Sequence, residues 1–374
     1  MVVSTFTKKV IFMKGALHLG TISGIKIEIH WTFSFLIIWV VFLDIQKGGN
    51  INSALLNVLL ILILFLCVVL HELGHALTAK RFGIGTRKIT LLPIGGVALL
   101  DKMPEKPGQE LLVALAGPAV NVVIAILLSL FIPFKSYFGM DPSRLEGFLN
   151  TTGFQSLLLF LFIANIMLAV FNMIPAFPMD GGRVFRALLS FKLGRVKATE
   201  IASGLGQILA ILFFMLGVLF NPFLILIALF IFVGAYGENQ MVKQQSILEG
   251  HIVKEAMLTK ITFLHPSNTM EEVVNTVLAS TEKDFVILEN NKIAGVLYQK
   301  DIIKNAHNPS ILIKDVMQTK IRTVDVSLTI TTILEYIRNE KNTFFPVTSK
   351  NEVVGAIDMT NISEFIVFKS EPYK

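Results

Sequence analysis

The chain has 374 residues, enough for two or three domains. Hydrophobic residues make up 53% of it and charged residues 16%, a balance too apolar for a wholly water-soluble enzyme. The net charge of +6 lies beside apolar runs, so we interpret it as a topology signal and expect no nucleic-acid partner. The single cysteine, Cys67, excludes an internal disulfide and a cysteine-based zinc cluster.

Six apolar runs precede residue 235, and a membrane-spanning helix needs roughly 20 apolar residues. The runs are 31–43, 54–70, 111–133, 154–170, 202–219 and 222–233. The first run starts late for a signal peptide, and no small-residue cleavage site follows it, so we interpret it as a retained span. The sequence therefore predicts a polytopic α-helical membrane protein with six transmembrane helices.

Basic residues cluster in alternate loops between these runs. The clusters are Lys8, Lys9, Lys14 and Lys26; Lys80, Arg81, Arg87, Lys88, Lys102 and Lys106; and Arg183, Arg186, Lys192, Arg195 and Lys197. The opposite loops hold only Lys47, Lys135 and Arg144. Because basic loops stay in the cytoplasm, we predict a multi-pass protein of the cell membrane with both termini cytoplasmic.

Two segments near the spans have strand character. Residues 22–29 alternate between apolar and polar, and residues 84–100 are rich in Ile, Val, Thr and Gly, with breaks at Pro93 and Gly95. Strand backbone at membrane depth is tolerated only where protein or water shields it from lipid. We therefore predict a short β-sheet packed beside the helices.

The last third of the chain contains an internal repeat with a period of 60 residues. Polar residues 238–250 form a linker or exit helix before it. The matched pairs are Val253–Met257 with Ile313–Met317, Thr259–Ile261 with Thr319–Ile321, Phe285–Ile287 with Phe345–Val347, and Gly295 with Gly355. Each unit is predicted to form a short strand, a helix, two strands and a second helix.

The motif His71-Glu-Leu-Gly-His75 directly follows an apolar run. Positions four apart on a helix share one face, so both imidazoles can hold one zinc ion. Glu72 lies next to them, where a carboxylate can act as general base toward water. Placing ionisable groups in a membrane span costs free energy, so their presence there indicates a function.

A catalytic zinc site usually has three protein ligands, so a third must come from elsewhere. Asp180 is the best candidate, because Pro175 and Pro178 break the preceding helix and the following glycines let the backbone bend. Spacing alone leaves open the alternative that Asp180 caps the next helix. Glu110 is a weaker candidate, since it begins a span.

Asn172 lies at the inner end of the fourth span, where its amide can donate hydrogen bonds to an oxyanion. The alternative role is to tie helices together through its amide. For Asn121 and Asn165, which lie within the third and fourth spans, we expect this second role.

Taken together, the motifs up to about residue 237 resemble the site-2 proteases, which are intramembrane zinc metalloproteases. They are Gly24-Ile-x-Ile-x-Ile-His30, His71-Glu-Leu-Gly-His75, Leu92-Pro-Ile-Gly-Gly-Val97, Gly117-Pro-Ala-Val-Asn121 and Asn172-x-x-Pro-x-x-Pro-x-Asp180-Gly-Gly. The resemblance implies a metalloendopeptidase that cuts transmembrane helices of membrane-anchored substrates.

The same resemblance implies a role for each matching position. It implies that His71, His75 and Asp180 hold one Zn²⁺ per chain. It further implies that Glu72 is the general base and acid, and that Asn172 contacts the substrate or the transition state.

The repeat is similar to a tandem pair of cystathionine-beta-synthase-type (CBS) domains, which are α/β modules that often bind ATP, ADP or AMP. In that family a Thr or Ser stands three residues before an Asp that holds ribose. Asp301 matches the Asp, but Tyr298 replaces the Thr or Ser, and the second repeat has Asp358 and Asn361 there. The alternative is a structural module or a module that forms a homodimer.

The predicted domains are a protease core at 1–237, a linker at 238–250, and CBS repeats at 251–311 and 312–370. We predict regulated intramembrane proteolysis of a membrane-anchored substrate in the lipid bilayer. A transporter that uses the ionisable groups as an ion path is a second class. A nonproteolytic scaffold is a third, against which the intact Glu72 and ligand positions argue.

Overall fold

A computed structural model of the protein describes residues 15–93, 95–101, 104, 106–134, 137, 141, 153–339 and 342–370. Among the residues used above to predict topology or motifs, those outside the described part are Lys8, Lys9, Lys14, Ile94, Lys102, Lys135 and Arg144. The chain divides into two compact units, Met1–Val242 and Lys243–Lys374, and each is described by itself.

The first unit is built mainly from helices. They are α1 (Phe33–Gln46), α2 (Ile51–Arg81), α3 (Pro107–Ser129), α4 (Phe154–Asn172), α5 (Asp180–Leu193), α6 (Arg195–Leu219) and α7 (Phe223–Leu248). Within the described residues, five of these are long and apolar enough to cross a membrane, namely α2, α3, α4, α6 and α7. Helix α1 is apolar but has only 14 residues, so five candidate spans are found where six were predicted.

A small sheet packs against α2. Its strands are β1 (Ala16–Ile22), β2 (Ile25–His30), β3 (Thr86–Leu92) and β4 (Gly95–Leu100), in that order across the sheet. Strands were predicted at both places, although β1 was not expected. Ile27 and Ile89 of the sheet share a buried core with Val69 and Leu73 of α2, so the sheet covers the part of α2 that carries the His motif.

Helix α7 continues past the division between the two units, so the predicted polar exit segment forms its last turns. The second unit contains both repeats. Its strands are β5 (Phe263–Leu264), β6 (Phe285–Glu289), β7 (Lys292–Leu297), β8 (Val324–Asp325), β9 (Phe344–Ser349) and β10 (Glu352–Asp358). Its helices are α8 (Met270–Ala279), α9 (Gln299–Asn305), α10 (Ile313–Val316), α11 (Ile330–Asn339) and α12 (Met359–Ser370), with a 3₁₀ turn at Val253–Glu255.

The predicted order of strand, helix, two strands and helix is confirmed in both repeats. Each repeat has its own sheet of three strands, β5-β6-β7 and β8-β9-β10. Val296 and Tyr298 of the first repeat share a buried cluster with Phe344 and Ala356 of the second. The two repeats therefore share one apolar interface.

A buried ion cluster joins three helices of the first unit. Arg186 of α5 is fully buried, and its Nε donates to Glu110 Oε1 of α3 at 2.8 Å. Its Nη1 donates to Glu238 Oε1 of α7 at 2.5 Å, and its guanidinium lies 4.9 Å from the centroid of the Phe177 ring. Arg186, counted above among cytoplasmic loop charges, is therefore an internal cation that fixes α5 against its neighbours.

Replacing this cation is expected to destabilise the first unit severely. Arg186→Met leaves two buried carboxylates without a partner, a change that costs about 3–5 kcal/mol in buried pairs. Thermal unfolding of the purified full chain in detergent measures the loss. Adding Glu110→Gln and Glu238→Gln to Arg186→Met should recover most of it.

The matched control is Arg87→Met, which removes a half-exposed ion pair between Arg87 Nε and Asp101 Oδ1 at 2.7 Å. Exposed pairs contribute about 0–1 kcal/mol, so this variant should unfold close to the wild-type temperature. Equal unfolding temperatures for Arg186→Met and Arg87→Met would contradict the assigned role of the cluster.

Candidate metal centre

Two imidazoles from α2 and one carboxylate from α5 meet inside the first unit. His71 Nε2 lies 3.1 Å from His75 Nε2, and Asp180 Oδ2 lies 3.2 Å from the former and 3.0 Å from the latter. All three side chains are buried. Within the described residues, this is the one group of three or more His, Cys, Asp or Glu side chains close enough to share a metal ion.

The donor set fits zinc. Tetrahedral zinc binds imidazole nitrogen and carboxylate oxygen at about 2.0–2.2 Å, which places neighbouring ligand atoms about 3.3 Å apart. The three observed separations of 3.0–3.2 Å come close to that value. Three protein donors also leave one position of a tetrahedron for water or substrate, as in catalytic zinc sites.

Hydrogen bonds on the far side of each imidazole turn a lone pair toward this cluster. His75 Nδ1 lies 2.7 Å from the backbone carbonyl of Val113, which can only accept, so Nδ1 carries the hydrogen. His71 Nδ1 lies 2.5 Å from Oδ1 of Asn121. In neutral rings both Nε2 atoms are then lone-pair donors that face the Asp180 carboxylate. A metal ion among them is the partner that such an arrangement of donors fits.

Helix α3 presents one stripe of residues to the two imidazoles. Val113, Gly117 and Asn121 are four residues apart, so they share a helix face. A Cβ on Gly117 would overlap the His75 ring and lie 2.7 Å from His71 Nε2. Only glycine leaves room for both rings at this position.

Asp180 is held by a tight turn between α4 and α5. It is the first residue of α5, the cap position belongs to Met179, and the Asp180 carboxylate contacts the imidazoles. A Cβ on Gly181 would overlap the backbone carbonyls of Met173 and Ile174. The turn and the helix start are therefore in backbone contact, which directs the carboxylate inward.

Glu72 and Asn172 lie on the elements that surround the cluster. Glu72 is half-buried, and a Cβ on Gly96 of β4 would come within 2.7 Å of Glu72 Cγ. Strand β4 therefore lies directly beside the Glu72 side chain. Asn172 is half-buried as the last residue of α4, immediately before the turn that packs on Gly181.

The structure assigns different partners to two residues considered in the sequence analysis. Glu110, a weaker ligand candidate, binds Arg186 instead of joining the cluster. Asn121, which we expected only to tie helices, contacts His71. The spacing of Gly117 and Asn121 by one helical turn, equal to that of the two histidines, was the available signal.

A second candidate site is a cleft of about 190 Å³ between the repeats of the second unit. It is lined by Asp284, Tyr298, Gln299, Lys300, Asn342 and Thr343. Burial raises the pKa of the Asp284 carboxyl, and the nearby Asp358 adds to the rise, while a hydrogen bond from the Gln299 amide opposes it. Asp301 adjoins the lining residues, and its Oδ2 accepts from Gln318 Nε2 at 2.9 Å.

At the equivalent position of the second repeat, the side chains of Asp358 and Asn361 accept hydrogen bonds from each other's backbone amides. The Asp358 amide donates to Asn361 Oδ1 at 3.1 Å, and the Asn361 amide donates to Asp358 Oδ1 at 2.9 Å. These two side chains therefore cap the start of α12.

Comparisons with known proteins agree with this picture. The peptidase family M50 model matches residues 59–216, and the CBS domain model matches residues 253–308 and 313–367. Zinc metalloprotease MJ0392 of Methanocaldococcus jannaschii is 35% identical over 351 residues, which cover 94% of this chain and 96% of that protein. The Synechocystis sp. protein sll0528 is 29% identical, with coverage of 94% of this chain and 95% of that protein.

Among solved structures, the site-2 protease from Methanocaldococcus jannaschii is 40% identical. The match covers 60% of this chain and 95% of that one, with a TM-score of 0.44.

A buried His-His-Asp cluster, with both histidines on a helix that can cross a membrane, is the arrangement expected of a membrane-embedded metallohydrolase. The chain belongs to peptidase family M50, the site-2 proteases, and carries two CBS domains after its peptidase domain. It is therefore a multi-pass membrane zinc metalloprotease, and the family resemblance seen in its sequence is confirmed.

The close approach of α3 yields a prediction about metal content. Gly117→Ala places a methyl group on the two imidazoles, so zinc per chain should fall well below one although every ligand is intact. Elemental analysis of the purified chain measures this. The control is Gly204→Ala, since Gly204 of α6 has open space around its Cβ position. Full zinc content in Gly117→Ala would contradict the geometry.

Proposed function

We propose that the protein hydrolyses peptide bonds within transmembrane segments of membrane-anchored proteins, as in regulated intramembrane proteolysis. The observation that carries this proposal is the convergence of Asp180 with His71 and His75, which lie on a helix long and apolar enough to cross a membrane. A soluble peptidase has no need to place its metal ligands in so apolar a helix. A protease whose substrate lies within the bilayer needs its metal ligands at that depth.

We assign His71, His75 and Asp180 as zinc ligands and Glu72 as general base and acid. When bound, zinc supplies Lewis acidity toward water and the scissile carbonyl. Glu72 takes the proton of the attacking water and passes it to the leaving amine. Asn172, at the end of α4, donates a hydrogen bond to the substrate carbonyl as negative charge develops on it.

Strand β4 is well placed to receive the substrate. It is an edge strand of the described sheet, and its Gly96 lies against Glu72. A transmembrane helix satisfies its own backbone hydrogen bonds, so the substrate must open locally before hydrolysis. An opened segment that pairs with β4 regains those bonds beside the proposed base.

We further propose that both termini and the CBS domains face the cytoplasm and that water enters the site from that side. Lys80 and Arg81, the basic residues in the last turn of α2, support this orientation. The proposed boundaries are a protease core at 1–237, a linker at 238–250, and CBS repeats at 251–311 and 312–370.

The CBS pair is proposed to regulate the protease by binding ATP, ADP or AMP, with Asp301 holding the ribose. The polar cleft lined by Tyr298 and Lys300, next to Asp301, supports a ligand at this end of the first repeat. The capped Asp358 and Asn361 pair makes the second repeat a poorer site. The second role that we propose for the pair is homodimerisation.

The assigned base gives a direct test of the proteolytic mechanism. Glu72→Gln should keep zinc but lose about 10²–10⁴-fold in the rate of cleavage of a co-expressed single-span substrate, because no carboxylate accepts the proton of water. Product ends mapped by mass spectrometry locate the cut. The control Glu271→Gln changes an exposed residue of α8 and should leave the rate unchanged. Wild-type rates in Glu72→Gln would refute the role of Glu72.

Nucleotide binding is tested on the full chain by isothermal titration with AMP, ADP and ATP. At least one should bind, and Asp301→Asn should weaken it about tenfold through loss of a charged hydrogen bond. Asp315→Asn, at an exposed position of α10, is the control. Absence of heat with all three nucleotides would leave the repeats as a structural module.

A further inference from the structure

A chain of buried hydrogen bonds runs from His71 away from the metal centre, through two asparagines on different helices. His71 Nδ1 lies 2.5 Å from Asn121 Oδ1, and Asn121 Nδ2 donates to Asn165 Oδ1 at 2.8 Å. Asn165 Nδ2 in turn donates to the backbone carbonyl of Leu161 at 2.8 Å. Both asparagine side chains are fully buried, so water does not compete for these bonds.

The last acceptor in this series, the Leu161 carbonyl, determines which group donates in each of the hydrogen bonds. The Leu161 carbonyl can only accept, so the amino group of Asn165 must face it and the Asn165 oxygen must face Asn121. That oxygen then orients the amino group of Asn121, which leaves the Asn121 oxygen toward the imidazole. His71 Nδ1 must therefore carry a hydrogen, and His71 Nε2 keeps its lone pair.

Without Asn165, none of the remaining hydrogen bonds in this series determines which way the Asn121 amide points. A primary amide can turn over and present its amino group to His71 Nδ1, which then has to be the acceptor. The other tautomer places a hydrogen on Nε2, directly toward Asp180. The tautomer of His75 does not depend on an amide orientation, because its Nδ1 faces the backbone carbonyl of Val113, which can only accept.

We propose that Asn121 and Asn165 are positioning residues that set the tautomer of His71 for zinc binding. Asn165 acts without touching a ligand, through the orientation that it imposes on Asn121. This inference rests on the proposed zinc site and adds two residues to it. It also replaces our sequence-based expectation that both asparagines only tie helices together.

The test measures zinc affinity of the purified full chain by chelator competition, independently of proteolysis. Asn165→Leu should weaken zinc binding about 10–100-fold, the range seen when groups behind a metal ligand are lost. Asn121→Asp/Asn165→Leu should return to within a few-fold of wild type. A carboxylate has only acceptor atoms, so it holds the hydrogen on His71 Nδ1 whichever way it turns.

Two further variants complete the design. Asn121→Asp alone sets a carboxylate oxygen against Asn165 Oδ1, so two acceptors face each other, and this variant should bind zinc no more tightly than Asn121→Asp/Asn165→Leu. Ser203→Ala removes another buried bond between helices, from Ser203 Oγ to the Ala235 carbonyl at 2.7 Å, and should leave zinc affinity unchanged. A role limited to holding helices together predicts no rescue of Asn165→Leu by Asp at position 121.

The proposal is overturned if Asn165→Leu binds zinc like wild type, if the double variant fails to recover, or if Asn121→Asp binds zinc more tightly than the double variant. Each of these results leaves the proposed function standing, provided that the wild-type chain holds one zinc. A wild-type chain without zinc overturns the proposed function and this assignment together.

Discussion

Three lone-pair donors face one another across about 3 Å in the interior of this protein. Two are imidazole nitrogens that cannot be turned away, since their opposite nitrogens are committed to hydrogen bonds, and the third is a carboxylate oxygen. In neutral rings such a group of lone pairs repels itself, and a bound metal ion converts that repulsion into attraction. The surrounding fold is best understood as the support that holds these donors together.

That support consists of contacts between backbones and small residues. The stripe of Val113, Gly117 and Asn121 on α3 meets the stripe of His71 and His75 on α2, turn for turn. Helices in membranes commonly pack through small residues that let their backbones approach closely. The hydrophobic effect does not drive this packing, because lipid tails are as apolar as the side chains. Here the same approach brings the oxygen atoms of α3 behind the ligand rings.

Asp180 depends on different contacts. Its helix, α5, is anchored by Arg186 between Glu110 and Glu238, and its first turn packs on the carbonyls after Asn172. Ion pairs buried this deeply are sensitive to the loss of either partner. The position of the carboxylate is therefore set by charge and backbone contact, whereas the positions of the imidazoles are set by one helix face.

The sequence predicted the parts of this arrangement that depend on local periodicity. The spacing of His71 and His75, the breaks around Asp180 and the 60-residue repeat each indicated structure that the fold contains. Pairings between distant residues left no such pattern. Arg186 was taken for a loop charge because Glu110, its partner, lies 76 positions away. Asn121 was taken for a packing residue because its four-residue spacing from Gly117 defines a face of α3 but does not show that this face meets α2.

X-ray absorption at the zinc edge, measured on the wild-type chain purified without chelators, tests this account most directly. It predicts one zinc per chain, bound by two imidazole nitrogens and by oxygen donors at about 2.0–2.2 Å. A preparation that is active in cleavage but contains no zinc, or zinc without imidazole ligands, would contradict the account.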